Sequence, residues 1–343
     1  MTAMDRRGFL MGAGAAPLMP ARTGGGRVRI GFLGGSHSHA GGKVDVVLAN
    51  SDYELVGMVE DAPEVRARYE SKGVRMMALD DMLGDPSIDA IAVESPVRDH
   101  IRHASMVVDA GKHVHIEKPP ATDVESLRSV LDAAQRKKLA VQMGYMWRHH
   151  PGINRMLEAA RQGWLGKVYL VQATIHKRLS DSQRAAWAEF RGGQMFELGG
   201  HVVDPLIRLM GRPNRVTPFL KNHGDKGDNL ADNTIAVFEF PGALGLVIGA
   251  TLHFTSRYRS FIIHGTKGTA TLRPIEPPEL VMDLTEAAGP YAKGAQKVEL
   301  PIYKRYKDEF VELAAAVRGE KPIAVTPHED LIVQEALISA SGM

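Results

Sequence analysis

The chain has no cysteine, which excludes disulfides, a thiolate nucleophile, iron–sulfur clusters and any cysteine-built zinc site. Its chemistry must come from lysine, histidine, carboxylates or a cofactor. A dominant charge sign is also missing: 42 lysines and arginines face 40 aspartates and glutamates, and the basic residues are scattered without runs. No nucleic-acid footprint follows from such a balance. Internal repeats are lacking, and low-complexity sequence is confined to the N-terminal leader. What remains is ordinary globular usage, 44% hydrophobic and 24% charged over 343 residues. At roughly 150 residues per domain, that length fits two domains.

The leader reads Met4-Asp5-Arg6-Arg7-Gly8-Phe9-Leu10 and continues through an Ala/Gly-rich stretch to about Ala21. It resembles a twin-arginine signal, an address read by the twin-arginine export machinery. The apolar part, Phe9 to Met19, is 11 residues interrupted by Gly12, Gly14 and Pro17. Spanning a bilayer takes about 20, so no stable membrane anchor is expected here. Residues 1–26 are therefore expected to be signal and linker, and the protein periplasmic or otherwise exported. Retention in the cytoplasm after replacing Arg6 and Arg7 by lysine would test that expectation. Losing residues 1–21 removes two arginines and one aspartate, taking the formal charge from +2 to +1.

Over residues 27–145, short apolar runs (28–33, 55–59, 90–93, 113–116, 140–143) alternate with helical spacing, the pattern of a parallel sheet covered by helices. Asp99 and Thr122 or Asp123 are suited to cap helices. Ligands of such doubly wound α/β sheets collect at the carboxyl ends of the strands. The first run leads into Gly34-Gly35-Ser36-His37-Ser38-His39, where a dinucleotide-binding protein would carry G-x-G-x-x-G. Gly34 fills the first position, while Ser36 and His39 stand at the second and third. Ser36 could give its hydroxyl to a phosphate, and Ser36, His37 and His39 are assigned to the cofactor turn. Glu60 lies 26 residues after Gly34, where a carboxylate bridges ribose hydroxyls and repels a 2′-phosphate, favouring NAD over NADP. The alternative use of His37-x-His39 is as a metal pair in a metal-dependent hydrolase. No matching ligands are read at the ends of the following strands, so no metal is assigned.

Further on, Glu117-Lys118-Pro119-Pro120 closes a short strand. Together with Glu94-Ser95-Pro96, His100 and Gly144-Tyr145-Met146-Trp147-Arg148, it resembles the glucose–fructose oxidoreductase, inositol dehydrogenase and rhizopine-catabolism (Gfo/Idh/MocA) family over nearly the whole chain after Arg27. That resemblance implies an NAD-binding Rossmann domain with Ser95, Pro96, His100, Glu117 and Lys118 at the cofactor, and Lys118 as a catalytic residue. The two prolines present the ammonium from a rigid edge. A lysine in a closing cleft can have its pKa drawn from about 10.4 toward the operating pH.

The second signal is Glu197-Leu198-Gly199-Gly200-His201, with Asp204 three residues later. On a helix, Glu197 and His201 share one face, and a carboxylate beside an imidazole can fix its tautomer. The resembled family has aspartate where Glu197 stands, so His201 is the expected general base and Glu197 its companion, while Asp204 reads as structural. After Gly166 the pattern changes to strands (168–177, 234–240, 243–253, 260–264, 269–273, 298–302) and two closing helices (307–318, 328–341). The reading is an α+β domain, residues 146–343, with an open, mostly antiparallel sheet. By resemblance this domain makes subunit contacts, so a homo-oligomer is expected. Arg148, His149, Trp187 and Arg191 are expected to receive the substrate.

The function implied is an NAD-dependent oxidoreductase acting on a sugar or polyol. Two alternatives stay open: cleavage of a glycoside by oxidation, elimination and re-reduction, and a periplasmic sugar-binding relative without turnover.

Overall fold

The computed structural model describes residues 26–253 and 256–343. The leader carrying Arg6 and Arg7 lies outside the described residues.

Apolar runs buried on both faces belong inside a parallel sheet, and the first half builds one. Strands β1 (Val28–Leu33), β2 (Tyr53–Val59), β3 (Ala90–Val93), β4 (His113–Ile116) and β5 (Val141–Met143) pair in parallel in the order β2-β1-β3-β4-β5. Between them run α1 (Ala40–Leu48), α2 (Pro63–Glu70), α3 (Leu79–Gly84), α4 (His100–Asp109) and α5 (Val124–Arg136). The α5 helix shows why the sequence folds this way. Asp123 caps it by accepting the Ser126 N–H at 2.7 Å, and its apolar stripe Leu127, Val130, Leu131 and Ala134 is buried. Asp99, the other expected cap, makes no side-chain capping bond. From β1 the chain winds outward to β2 on one side and to β3 on the other. This reversal opens a crevice at the carboxyl ends of β1 and β3, where Gly34 and Glu94 stand.

The second half contributes α6 (Pro151–Arg161), β6 (Val168–His176), α7 (Asp181–Trp187), one π-helical turn (Met195–Gly199) and α8 (Gly200–Met210). The remaining strands are β7 (Arg215–Lys221), β8 (Asn233–Phe240), β9 (Ala243–Ala250), β10 (Ser260–Gly265), β11 (Gly268–Leu272), β12 (Leu280–Leu284) and β13 (Gly294–Val298). They form an eight-stranded sheet, β13-β12-β11-β10-β6-β9-β8-β7, antiparallel at every pairing except β6 with β9. Strict alternation places Thr234, Ala236, Phe238 and Phe240 of β8 inward. Two strands, β7 and β12, go beyond those read from the sequence, and the strand expected over 298–302 lies instead at Gly294–Val298.

The closing helices are α9 (Lys307–Val317) and α10 (Pro327–Ala340), the latter started by a Thr326/Glu329 capping box. Helix α9 packs back onto the first sheet: the Tyr53 hydroxyl donates to the Phe310 carbonyl at 2.6 Å, and the Phe310 ring lies 5.3 Å from that of His115.

Candidate active site

Backbone geometry sets the floor of the crevice. Gly34 holds φ +86°, a left-handed conformation, and a Cβ there would sit 2.5 Å from Ser95 Cα. A Cβ on Gly35 would meet the Tyr69 ring at 2.5 Å. The Gly35 N–H donates to Glu60 Oε2 at 2.8 Å, while Glu60 Oε1 accepts from the Asp61 and Ala62 N–H groups at 3.0 Å each. Thus the turn, the start of α1 and the Glu60 carboxylate stand together as a dinucleotide requires. Ser36 and His39 are the departure from the glycine pattern: both line a cleft of about 360 Å³ that extends from this turn to α7.

Behind the turn lies a buried charge cluster. The Lys43 ammonium, on α1, donates to Glu94 Oε1 at 2.7 Å, to His115 Nε2 at 2.7 Å, and to Glu117 Oε2. His115 Nδ1 then donates to Gln142 Oε1 at 2.9 Å, which fixes its tautomer. Glu117 Oε1 lies 3.0 Å from His39 Nδ1 and 3.8 Å from His37 Nδ1. Burial holds the His37 pKa well below its usual value and brings that of His39 to about 4, the Glu117 charge opposing in both cases. Burial pushes Glu94 up to about 8 against the attraction of Lys43, and lifts Glu309, on α9, to about 7. Sequence reasoning missed Lys43, His115 and Glu309. Lys43 had one signal, a lysine one turn after His39 in the stripe occupied by Ala40, Val44 and Val47.

Lys118 follows β4 and is buried. Its ammonium donates to the Glu197 main-chain carbonyl at 2.9 Å, so the two expected catalytic elements do meet. His100 lies behind it, each ring nitrogen 2.8 Å from a carbonyl, Ser95 on one side and Pro119 on the other. Burial lowers this ring's pKa, while the bonds to the Pro119 and Ser95 carbonyls oppose that shift. His100 is therefore a tie between the ends of β3 and β4, positioning the Lys118 turn from inside the protein. Ser95 is buried as well and bonds His103 through its hydroxyl at 2.9 Å. Pro96 lines the cleft.

His201 opens α8 directly after the π-turn. It is buried, its ring centroid is 5.5 Å from that of His39 and 5.3 Å from the Trp147 ring, and neither ring nitrogen has a partner among the described residues. Burial first, then the charges of Lys118 and His39, holds its pKa well below the usual value. The expected Glu197–His201 hydrogen bond is absent. One π-turn changes the helical register, and Glu197 faces Lys118 and Lys177 instead. Burial lifts the Glu197 carboxyl to about 7, the two ammoniums opposing. Lys177, beyond the end of β6, also lines the cleft and lies 5.3 Å over the Trp187 ring. Burial and the Lys118 charge lower it to about 8.

The expected substrate residues divide. Trp187 lines the cleft. Arg148 does not: its buried guanidinium donates from Nε to Asp204 at 2.8 Å and from Nη2 to Asp330 at 2.7 Å, a brace between α8 and α10. Asp204 is structural, as its sequence context implied. His149 turns to Glu312 of α9 at 3.5 Å, and Arg191 is exposed beside Gly342. Neither is among the cleft-lining residues.

With this geometry established, comparison with known proteins adds the following. Residues 28–145 match the family model described as an oxidoreductase family with an NAD-binding Rossmann fold, and residues 153–271 match the GFO/IDH/MocA C-terminal domain. An uncharacterised oxidoreductase, ORF334 of Rhizobium meliloti, is 24% identical over 87% of this chain and 91% of that protein. The D-glucoside 3-dehydrogenase of Escherichia coli is 29% identical over 48% of each. Among solved structures, GenD2 from gentamicin A biosynthesis in complex with NAD superposes with TM-score 0.77 at 22% identity, covering 94% of this chain and 96% of that one.

Proposed function

The chain belongs to the Gfo/Idh/MocA family of oxidoreductases, with an NAD(P)-binding Rossmann domain, and from that premise we propose that it oxidises or reduces one hydroxyl-bearing carbon of a sugar or polyol. The observation that carries this reading is a buried, neutral imidazole with unpartnered ring nitrogens, His201, lying within electrostatic reach of a cleft-lining ammonium, Lys118, which is held on the Glu197 carbonyl. The cofactor supplies the hydride acceptor or donor. His201 takes the hydroxyl proton in the oxidative direction. Lys118 donates a hydrogen bond to the same oxygen and steadies the charge that develops there. Glu197, poised near neutrality, relays or holds a proton behind Lys118.

A sugar is favoured by further residues that line the cleft. Trp187 offers a flat apolar surface to ring C–H groups, while Lys177, Gln183 and Ser182 offer donors for hydroxyls. The D-glucoside 3-dehydrogenase of E. coli supports the same class. Glu60 favours NAD over NADP, because a 2′-phosphate would bring negative charge against its carboxylate. Export through the twin-arginine route is the location that Arg6 and Arg7 support, and it would carry the enzyme out with its cofactor already bound.

Denaturing the purified protein, or titrating it with NAD, tests the cofactor. Neither release nor binding of a nicotinamide would end this reading. In a sugar-oxidation assay on the NAD-loaded protein, Lys118→Ala and His201→Ala should each lower turnover by ~10²–10⁴-fold while NAD still binds. Full activity in either variant removes that residue from the mechanism.

A further inference from the structure

We infer that His37, His39 and Glu117 form a binding site for one divalent transition-metal ion of the zinc type, at the inner end of the cleft. The sequence offered the His37-x-His39 pair but no third ligand. The fold supplies it, because the parallel sheet brings Glu117, at the end of β4, against the turn after β1.

The donor geometry is close to a coordination shell. Glu117 Oε1 and His39 Nδ1 share a hydrogen bond at 3.0 Å, which a bound ion would replace, Glu117 Oε1 lies 3.8 Å from His37 Nδ1, and the three ligand atoms all lie within 4.8 Å of one another. Tetrahedral zinc with bonds of about 2.0–2.1 Å spaces its ligands roughly 3.3 Å apart, inside the observed range. Two imidazoles and one carboxylate leave a position open for water or a substrate oxygen. The ligands are also held from behind. Lys43 occupies the other Glu117 oxygen, and the Glu94 carbonyl accepts the His37 N–H at 3.1 Å. The His37 Nδ1 lone pair meets one long bond, 3.3 Å, from the His39 N–H.

Two further observations point to a missing occupant. The buried His201 ring, 5.5 Å from that of His39, has both nitrogens unpartnered, and so does Glu94 Oε2, which lies 4.0 Å from His37 Nδ1. Buried polar atoms are rarely left without a partner. An ion here would sit beside Lys118 and His201 and could hold the substrate oxygen that those residues address. That use rests on the proposed oxidoreductase function; binding of the ion does not.

The test is titration of the chelator-treated full chain with Zn(II) by calorimetry, with metal content measured after dialysis. One zinc per chain is expected in the wild type, with affinity falling at least tenfold in His37→Ala, His39→Ala and Glu117→Gln. His149→Ala, which removes another histidine beside a carboxylate, should keep wild-type binding. Cobalt(II) added to the wild type should give the visible bands of a low-symmetry site, a readout that needs no variant to fold. Absence of stoichiometric zinc, or binding unchanged in all three variants, overturns the inference. A parallel NAD titration separates the two readings: NAD binding without zinc sinks only the metal site, and zinc without NAD sinks only the oxidoreductase.

Discussion

Glu197 is a carboxyl in the cleft whose ionisation is held near neutrality, and the sign of its effect can be worked out. Its pKa rises from 4.5 when exposed to about 7 in the fold because burial outweighs Lys118 and Lys177. A carboxyl raised in this way contributes stability that is fully present below about 4.5 and lost as pH climbs through about 7. Glutamine carries no such charge. The stability of Glu197→Gln relative to wild type should therefore improve between pH 4.5 and pH 8.5, by up to about 3 kcal/mol. Urea unfolding at both pH values checks this, and parallel pH profiles would show that the carboxyl ionises as freely as in water. The meeting of the Lys118 turn with the segment that carries Glu197 and His201 was legible, because two prolines mark the one and clustered glycines the other. Arg148 was misread for a physical reason. In the run Arg148-His149-His150 it looks solvent-facing, and the carboxylates that bury it lie 56 and 182 residues away.

At the scale of elements, that brace holds the π-turn and α8 in place. Arg148 leaves the turn after β5, Asp204 comes from α8, and Asp330 comes from α10. All three are buried, so removing the cation strands two carboxyl groups in a poor solvent. Arg148→Met should destabilise the fold by about 3–5 kcal/mol, measured by urea unfolding. Arg148→Lys should recover part of that loss without a specific change in KM for substrate. A selective KM effect with unchanged stability would return Arg148 to the binding site. Parallel strands were readable because β1 and β3 are nearly continuous buried runs and the others each hold a short apolar stretch between helical segments. The edges of the second sheet were not. Strand β7 carries Pro218 and charged ends, which an edge position tolerates and a pattern search rejects. Strand β13 ends at Val298, and Pro301, lacking an N–H, would break the ladder in the strand expected over 298–302.

For the whole molecule, the two halves share one apolar core, because α9 and α10 return from the second domain to pack against β5, α5 and the turn after β5. That return places Glu309 behind Glu117, and it is why a domain boundary at residue 145 separates sequence patterns better than it separates packing. The eight-stranded sheet buries one face against α6 and α8, while the other face carries large apolar side chains. Tyr169, Phe219 and Leu244 are 48%, 53% and 49% exposed, and Val281 is 39% exposed. They stand on β12, β6, β9 and β7, spread over six strand pairings of that face. Covering this face with a second copy would bury it isologously, the arrangement closed two-fold dimers use. The protein should therefore run as a dimer or larger assembly in light scattering at micromolar concentration. Leu244→Glu combined with Phe219→Glu should yield a folded monomer, since charge on a flat apolar interface opposes association while leaving the inward face of β7 and β9 intact. A wild-type monomer, or an assembly indifferent to both charges, would place the contact elsewhere and leave this apolar face without a role in self-association.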